Sequence, residues 1–234
     1  MGKKILFIIV ILLAVIIFTF IYFFNSKPTD TTAILVKPEV IAQKKQLEKL
    51  TPDSLLIQID KKHCLAPEYA PQDLVGVLSY GISANSSFRL RKIAMPELVE
   101  MVTAAQKEGI ELKVISAYRS YADQQRIYSS WVAQLGAKEA SRQSAPPGCS
   151  QHELGTAVDF NELNDSFANT PTGIWLSKNA WQFGWVISYP LNSENITGYV
   201  YEPWHYRYIG KVNAKELEES GLILSKFLDT KNNL

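Results

Sequence analysis

Apolar and polar positions change their spacing along this chain, and each change predicts a different element. From Ile5 to Phe24 twenty consecutive residues run with only Thr19 and Tyr22 carrying a polar side-chain group. As a helix rising ~1.5 Å per residue they would span ~30 Å, the thickness of a bilayer core. Ser26 to Val36, with Pro, Ser and Thr and no sustained apolar period, reads as linker. Pro38 to Leu50 spaces Val40, Ile41, Leu47 and Leu50 as a weakly amphipathic stalk helix.

Shorter elements follow. Leu55 to Ile59 (LLIQI) alternates as a strand. Met95 to Lys107 repeats Leu98, Val99, Val102 and Ala105 at helical spacing behind Pro96, with Gly109 as the stop. Leu112 to Ala117 reads as a half-buried strand. Ser120 caps a helix from Tyr121 to Leu135 that would bury Ile127, Trp131 and Leu135, and a short helix around Lys138 to Gln143 precedes the Pro146-Pro147-Gly148 turn. Thr156 to Asn161 alternates as a strand, and Ile174 to Phe183 is a helix with Thr172 as its cap and Gly184 as its stop. Trp185 to Tyr189 and Val200 to Tyr208 are further strands, the second interrupted by Pro203. Asn213 to Ser220 and Leu222 to Thr230 are closing helices. Strands and helices do not alternate strictly, which favours an α+β fold with a small, mostly antiparallel sheet flanked by helices.

Three units are therefore expected: a membrane anchor at 1–25 with a single transmembrane helix, a linker and stalk at 26–50, and one catalytic domain at 51–234. Lys3 and Lys4 precede the span, so the N-terminus should lie in the cytoplasm and the rest outside a cytoplasmic membrane crossed once. A cleaved signal peptide is the alternative, but it would have an apolar stretch of only ~7–15 residues and a small-residue cleavage site. Here Phe23, Phe24 and Asn25 stand instead.

Past the span, 22 basic side chains face 23 acidic ones. That balance gives no reason to expect nucleic acid, and no protein partner is implied. The only cysteines are Cys64 and Cys149. An even count in an oxidising compartment favours a disulfide between them. Two unpaired buried thiols, or a sulfur metal ligand at Cys149 three residues before His152, are the alternatives.

The chain has three histidines. His63 stands alone and reads as structural or surface. His152 lies in Ser150-Gln151-His152-Glu153-Leu154-Gly155-Thr156-Ala157-Val158-Asp159, and His205 in Glu202-Pro203-Trp204-His205. Two imidazoles and a carboxylate (His152, Asp159, His205) make a three-ligand set that leaves a tetrahedral zinc one position for water, with Glu202 placed to take a proton. Mixed nitrogen and oxygen ligands favour zinc, although other first-row ions suit the same set. Seven residues separate His152 from Asp159, too far along a straight helix or strand to share an ion, so the chain must turn between them, and Gly155 permits it. The helical H-E-x-x-H motif is absent, because Thr occupies position 156. Arg119, at a strand end, could reach into a cleft, where a guanidinium binds carboxylates or polarises a carbonyl.

Residues Ser116 to Gln124, Pro147 to Asp159 and Thr197 to Tyr208 together resemble zinc D-alanyl-D-alanine carboxypeptidases of the VanY type, within the lysostaphin, D-Ala-D-Ala metallopeptidase and Sonic hedgehog group. The resemblance covers roughly Leu55 to Gly210. It implies zinc on His152, Asp159 and His205, Glu202 as catalytic base, and Arg119 steadying the scissile carbonyl or the substrate's terminal carboxylate. It also implies Gln124 and Ser150 as polar residues lining the same pocket, and Trp204 as packing beside it. Cys149 replaces a more usual His or Thr, and Ser188 stands where relatives often have a basic residue, departures that bear on substrate preference.

The expected activity is removal of the C-terminal D-alanine from peptidoglycan stem peptides or their precursors outside the membrane. L,D-carboxypeptidase or endopeptidase action on wall peptides is the alternative within the fold. A non-catalytic, zinc-containing wall-binding domain is the alternative from another class; the presence of Glu202 with all three ligands argues against it.

Overall fold

Residue 51 and residues 53–232 are described by the computed structural model, so the expected span, linker and stalk lie outside the described residues. Among the described residues no helix is long and apolar enough to cross a membrane. A two-stranded antiparallel ribbon comes first, β1 (Leu74–Gly76) against β2 (Arg89–Arg91). Helix α1 (Met95–Lys107) follows, with Pro96 in its first turn, then β3 (Val114–Ser116) and α2 (Tyr121–Gln143). After a 3₁₀ turn at Gln151–Leu154 the chain forms β4 (Ala157–Phe160), α3 (Pro171–Asn179), β5 (Trp185–Ile187), the single-turn α4 (Glu194–Thr197) and β6 (His205–Tyr208). Helices α5 (Lys211–Ser220) and α6 (Leu224–Asn232) finish it.

The central sheet is antiparallel throughout, in the order β3-β4-β6-β5. Side chains alternate across a strand, so Val158 and Phe160 of β4 face one way while Ala157 and Asp159 face the other. On β6 the same alternation separates Tyr206 and Tyr208 from His205 and Arg207. The register pairs Val158 with Tyr206 and Asp159 with His205. Apolar thus meets apolar on one face and a carboxylate meets an imidazole on the other.

The apolar face is the main core. Val114, Val158, Phe160, Trp185, Tyr206 and Tyr208 pack there against Leu98, Met101, Val102 and Ala105 of α1 and Trp175 and Leu176 of α3. Buried rings of this size each withdraw roughly 150–250 Å² from water. A second cluster joins Val186 and Ile209 to Ala214 and Leu217 of α5 and Leu224, Phe227 and Leu228 of α6.

Several expected elements differ. Leu55 to Ile59 forms no strand: the carbonyls of Leu55 and Ile57 accept instead from the buried Arg207 guanidinium, at 3.1 and 2.5 Å. By contrast, the two helices expected on either side of Gly136 are both present along Tyr121–Gln143, divided by a kink at that residue, whose φ of 76° is not helical. Ile127 and Trp131 are half-buried on a cavity wall and Leu135 is 45% exposed, so this helix borders a cleft and not the core. Thr170, not Thr172, caps α3, its Oγ1 accepting from Gly173 N at 3.0 Å. The expected strand over Val200 to Tyr208 begins only at His205, because Pro203 cannot donate to a ladder and His205 N turns back to Glu202 O at 3.2 Å. Strands β1 and β2, three residues each, are too short to show a period.

Candidate active site

Three stretches of chain converge on the polar face of the sheet. Asp159 and His205 arrive by strand register, directly opposite each other. His152 comes from the 3₁₀ turn that precedes β4. There Ser150 Oγ accepts from His152 N at 3.3 Å, while Glu153 Oε1 accepts from Gly148 N at 2.8 Å and Ser150 N at 3.4 Å. Gly155 ends the turn at φ 66°, and a Cβ there would come within 3.0 Å of both Arg91 and Leu74, so the turn needs glycine. Cys64 and Cys149 are joined by a disulfide, which anchors this loop to the start of the domain and leaves no Cys149 thiolate to bind a metal. Closing a loop of 85 residues is worth ~4–5 kcal/mol in the chain-entropy picture.

The ligand atoms of His152, Asp159 and His205 lie within 4.8 Å of one another, and all three residues are buried. The outward nitrogens decide what faces inward. His152 Nδ1 donates to Ala117 O at 2.7 Å, so its Nε2 presents a lone pair. That Nε2 is buried without a hydrogen-bond partner, 3.2 Å from Asp159 Oδ2. His205 Nε2 faces the Gln151 amide oxygen at 3.2 Å, which leaves Nδ1 directed at Asp159 Oδ1, 3.0 Å away. Two lone pairs and a carboxylate aimed at one point repel unless a cation sits among them, and nitrogen with oxygen donors at this spacing suits zinc. The residues therefore fit the metal.

Charges around the trio are consistent with this. Burial, with help from the Arg119 charge, pushes the His152 imidazole down to about 4, so it is neutral and able to ligate at ordinary pH. Glu202 lies 3.7 Å from His205 Nδ1 with its side chain 14% exposed. Burial first, and Asp159 second, push it well above a normal glutamate. A divalent ion a few ångströms away would counter that push.

Arg119, Ser150 and Glu202 line one cavity of about 340 Å³ with the trio. Arg119 is held by Ser116 Oγ at 3.1 Å, Gln124 Oε1 at 3.0 Å and Asp159 Oδ2 at 3.3 Å. Gln124 is fully buried and spends its amide nitrogen on Ala145 O at 2.7 Å, so it steadies Arg119 more than it presents a free group. Trp204 is half-buried on the cavity wall and also packs on the main core. His63 stays outside, 54% exposed and bonded to Asp60. Sequence reasoning passed over Ser116, Gln151 and Glu153. Only Glu153 left a local signal, three residues after Ser150 in the spacing of a capping box.

A small antiparallel sheet with two imidazoles, a carboxylate, a nearby glutamate and a fixed arginine defines the class as a metal-dependent hydrolase. The family model for VanY, D-alanyl-D-alanine carboxypeptidase, matches residues 87–211, and the chain belongs to that family, a family of zinc metallopeptidases. It is 38% identical over 186 residues to the carboxypeptidase-like protein YodJ of Bacillus subtilis (strain 168), covering 76% of this chain and 68% of that one. The LdcB LD-carboxypeptidase structure superposes with a TM-score of 0.72 at 37% identity, over 77% of this chain and 88% of that one. A vancomycin-resistance D,D-pentapeptidase VanY variant, solved with Zn(II), gives a TM-score of 0.62 at 32% identity, over 74% of this chain and 98% of that one.

Proposed function

We propose that this protein removes the C-terminal D-alanine from peptidoglycan stem peptides, working outside the cytoplasmic membrane from an anchor formed by residues 5–24. The observation that carries the reading is the convergence of His152 Nε2, Asp159 and His205 Nδ1 in the cavity shared with Glu202 and Arg119. A zinc ion held by those three residues would supply a Lewis acid for the amide carbonyl and lower the pKa of water. Glu202, raised by its burial, takes the proton from attacking water and returns it to the leaving D-alanine amine. Arg119, with its guanidinium fixed on Ser116 and Gln124, offers a planar fork to the substrate's terminal carboxylate. A carboxypeptidase needs such a cation to recognise a chain end, whereas an endopeptidase does not.

Cleavage of the L,D bond of a tetrapeptide is the second reading, favoured by the likeness to LdcB. Incubating the protein with penta- and tetrapeptide wall fragments and reading product masses tests both. Loss of one alanine from the pentapeptide alone supports D,D specificity; loss from the tetrapeptide alone supports L,D; internal cuts would reject both. Fractionating cells that express residues 1–234 or 26–234 tests the anchor, which predicts that only the longer chain sediments with membranes.

A further inference from the structure

Gln151 lies between the ligands His152 and His205 in a way that serves the second. Its Oε1 is 3.2 Å from His205 Nε2 and 2.7 Å from Ser188 Oγ. Gln151 and Ser188 are buried, at 6% and 2% exposure. Ser188 is also tied to the same histidine through the backbone, its N–H donating to His205 O at 3.3 Å. Neither residue faces the cavity of Arg119 and Glu202. Both border a separate cavity of about 360 Å³, where Lys61, Lys62 and Lys226 also lie.

A neutral imidazole carries one proton, and its partner at one nitrogen decides which nitrogen keeps a lone pair. An acceptor at Nε2 places the proton there and frees Nδ1 to ligate. An amide is a two-ended partner: its oxygen accepts, but its NH₂ group would donate to Nε2 and send the proton to Nδ1, toward Asp159 Oδ1. The Ser188 hydroxyl can serve either end. A glutamine here is therefore a permissive orienter, and a carboxylate, which can only accept, would be a strict one.

We infer that Gln151, supported by Ser188, is a positioning residue that turns His205 so that Nδ1 faces the metal, and that its neutral amide sets how tightly zinc is held. The inference rests on zinc occupying the His152, Asp159 and His205 site. Groups that hydrogen-bond the far nitrogen of a metal-ligating histidine change metal affinity by roughly 10- to 100-fold when removed.

Zinc affinity measured by chelator competition on the full chain, with imidazole NMR of the zinc-loaded protein, tests it. Gln151→Leu weakens zinc binding by roughly 10- to 100-fold and abolishes the slowly exchanging His205 Nε2–H signal. Ser188→Ala gives a smaller loss. Gln151→Glu, of nearly equal volume and bordering a cavity that holds three lysines, restores the Nε2–H signal and binds zinc more tightly than the wild type. A residue that merely fills space would give the Glu variant, of nearly equal volume, the affinity of the wild type, so a Glu variant no tighter than wild type overturns the inference, as does a Leu variant with unchanged affinity. Asp159→Ala is the control for the site itself. If the wild type binds one zinc and that variant none, a negative result at Gln151 condemns only the positioning role; if the wild type binds none, the proposed function falls with it.

Discussion

Alternate residues of β4 and β6 build two faces that answer to different physics. On one face Phe160 and Tyr206 meet edge to face at 6.0 Å, and Trp185 and Tyr208 tilt together at 5.3 Å, among many apolar neighbours. On the other, Asp159, His205 and Arg207 are equally dry, but each side chain depends on a few directed contacts. Dispersion and burial are spread over dozens of atoms, so the apolar face holds the fold redundantly. Hydrogen-bonded charge is not redundant, since removing one partner leaves another buried and unpaired. Stability should therefore reside on one side of the sheet and chemistry on the other, and the two should be separable by substitution.

The largest separation is expected at Glu202. Glu202→Gln keeps the shape and removes the base, so kcat should fall by roughly 10²–10⁴-fold. Zinc content and thermal midpoint should stay near those of the wild type. A variant that keeps full activity would remove Glu202 from the mechanism, and one that loses its zinc would make it a ligand.

Neighbouring residues on one strand give the most direct contrast. Phe160→Ala should cost about 3–5 kcal/mol in denaturant unfolding, through lost burial and the cavity left behind. What remains folded should still bind zinc. Asp159→Ala should abolish zinc binding and turnover yet cost less than Phe160→Ala when both are unfolded without metal, because the aspartate's contacts gain most from the ion they surround. Adding zinc should raise the midpoint of Phe160→Ala and leave that of Asp159→Ala unmoved, since a ligand stabilises only the state that binds it. If both respond alike, the two faces are not separate.

The disulfide probes the boundary between fold and site, for it ties the turn carrying His152 to the opening segment of the domain. Replacing both Cys64 and Cys149 with Ser should lower stability by about 2–5 kcal/mol. Activity of the folded fraction should change little, because Ala117 O still holds His152 Nδ1 and Glu153 still closes the turn. Unfolding curves paired with zinc titrations separate the two effects; a large fall in zinc affinity would show that the bridge positions the ligand.

What could be read from residues alone follows the same division. Helix α1 was legible because its apolar face repeats over three turns against one core. Positions of chemical types, two histidines with Asp159 and Glu202, were legible because few side chains can ligate or move protons, whatever backbone carries them. Segments whose pattern serves a side chain were not. Leu55 to Ile59 alternates like a strand, but its carbonyls cap Arg207, which lies 150 or more residues away in sequence. Trp131 has the spacing of a core residue and instead walls the cleft. Ser188 and Gln151, 37 residues apart, form a contact that no local period encodes.

The smallest expected effect tests how far the polar face relies on support from outside the sheet. Gln124 sits on α2, its Oε1 accepting from Arg119 Nη1 at 3.0 Å and its Nε2 donating to Ala145 O at 2.7 Å. Gln124→Leu removes one of several bonds to the guanidinium, while Ser116 Oγ and Asp159 Oδ2 continue to hold it. The donor is a charged guanidinium, for which one hydrogen bond is worth about 1.5 kcal/mol at the low end, so kcat/KM should fall by roughly tenfold. The loss should appear in KM for substrates with a free terminal carboxylate and be absent for the same peptides amidated at the C-terminus, which Arg119 could not grip. An equal loss on both substrates would mean that Gln124 acts through the Ser144–Ala145 wall of the cavity, and that Arg119 needs no support from α2.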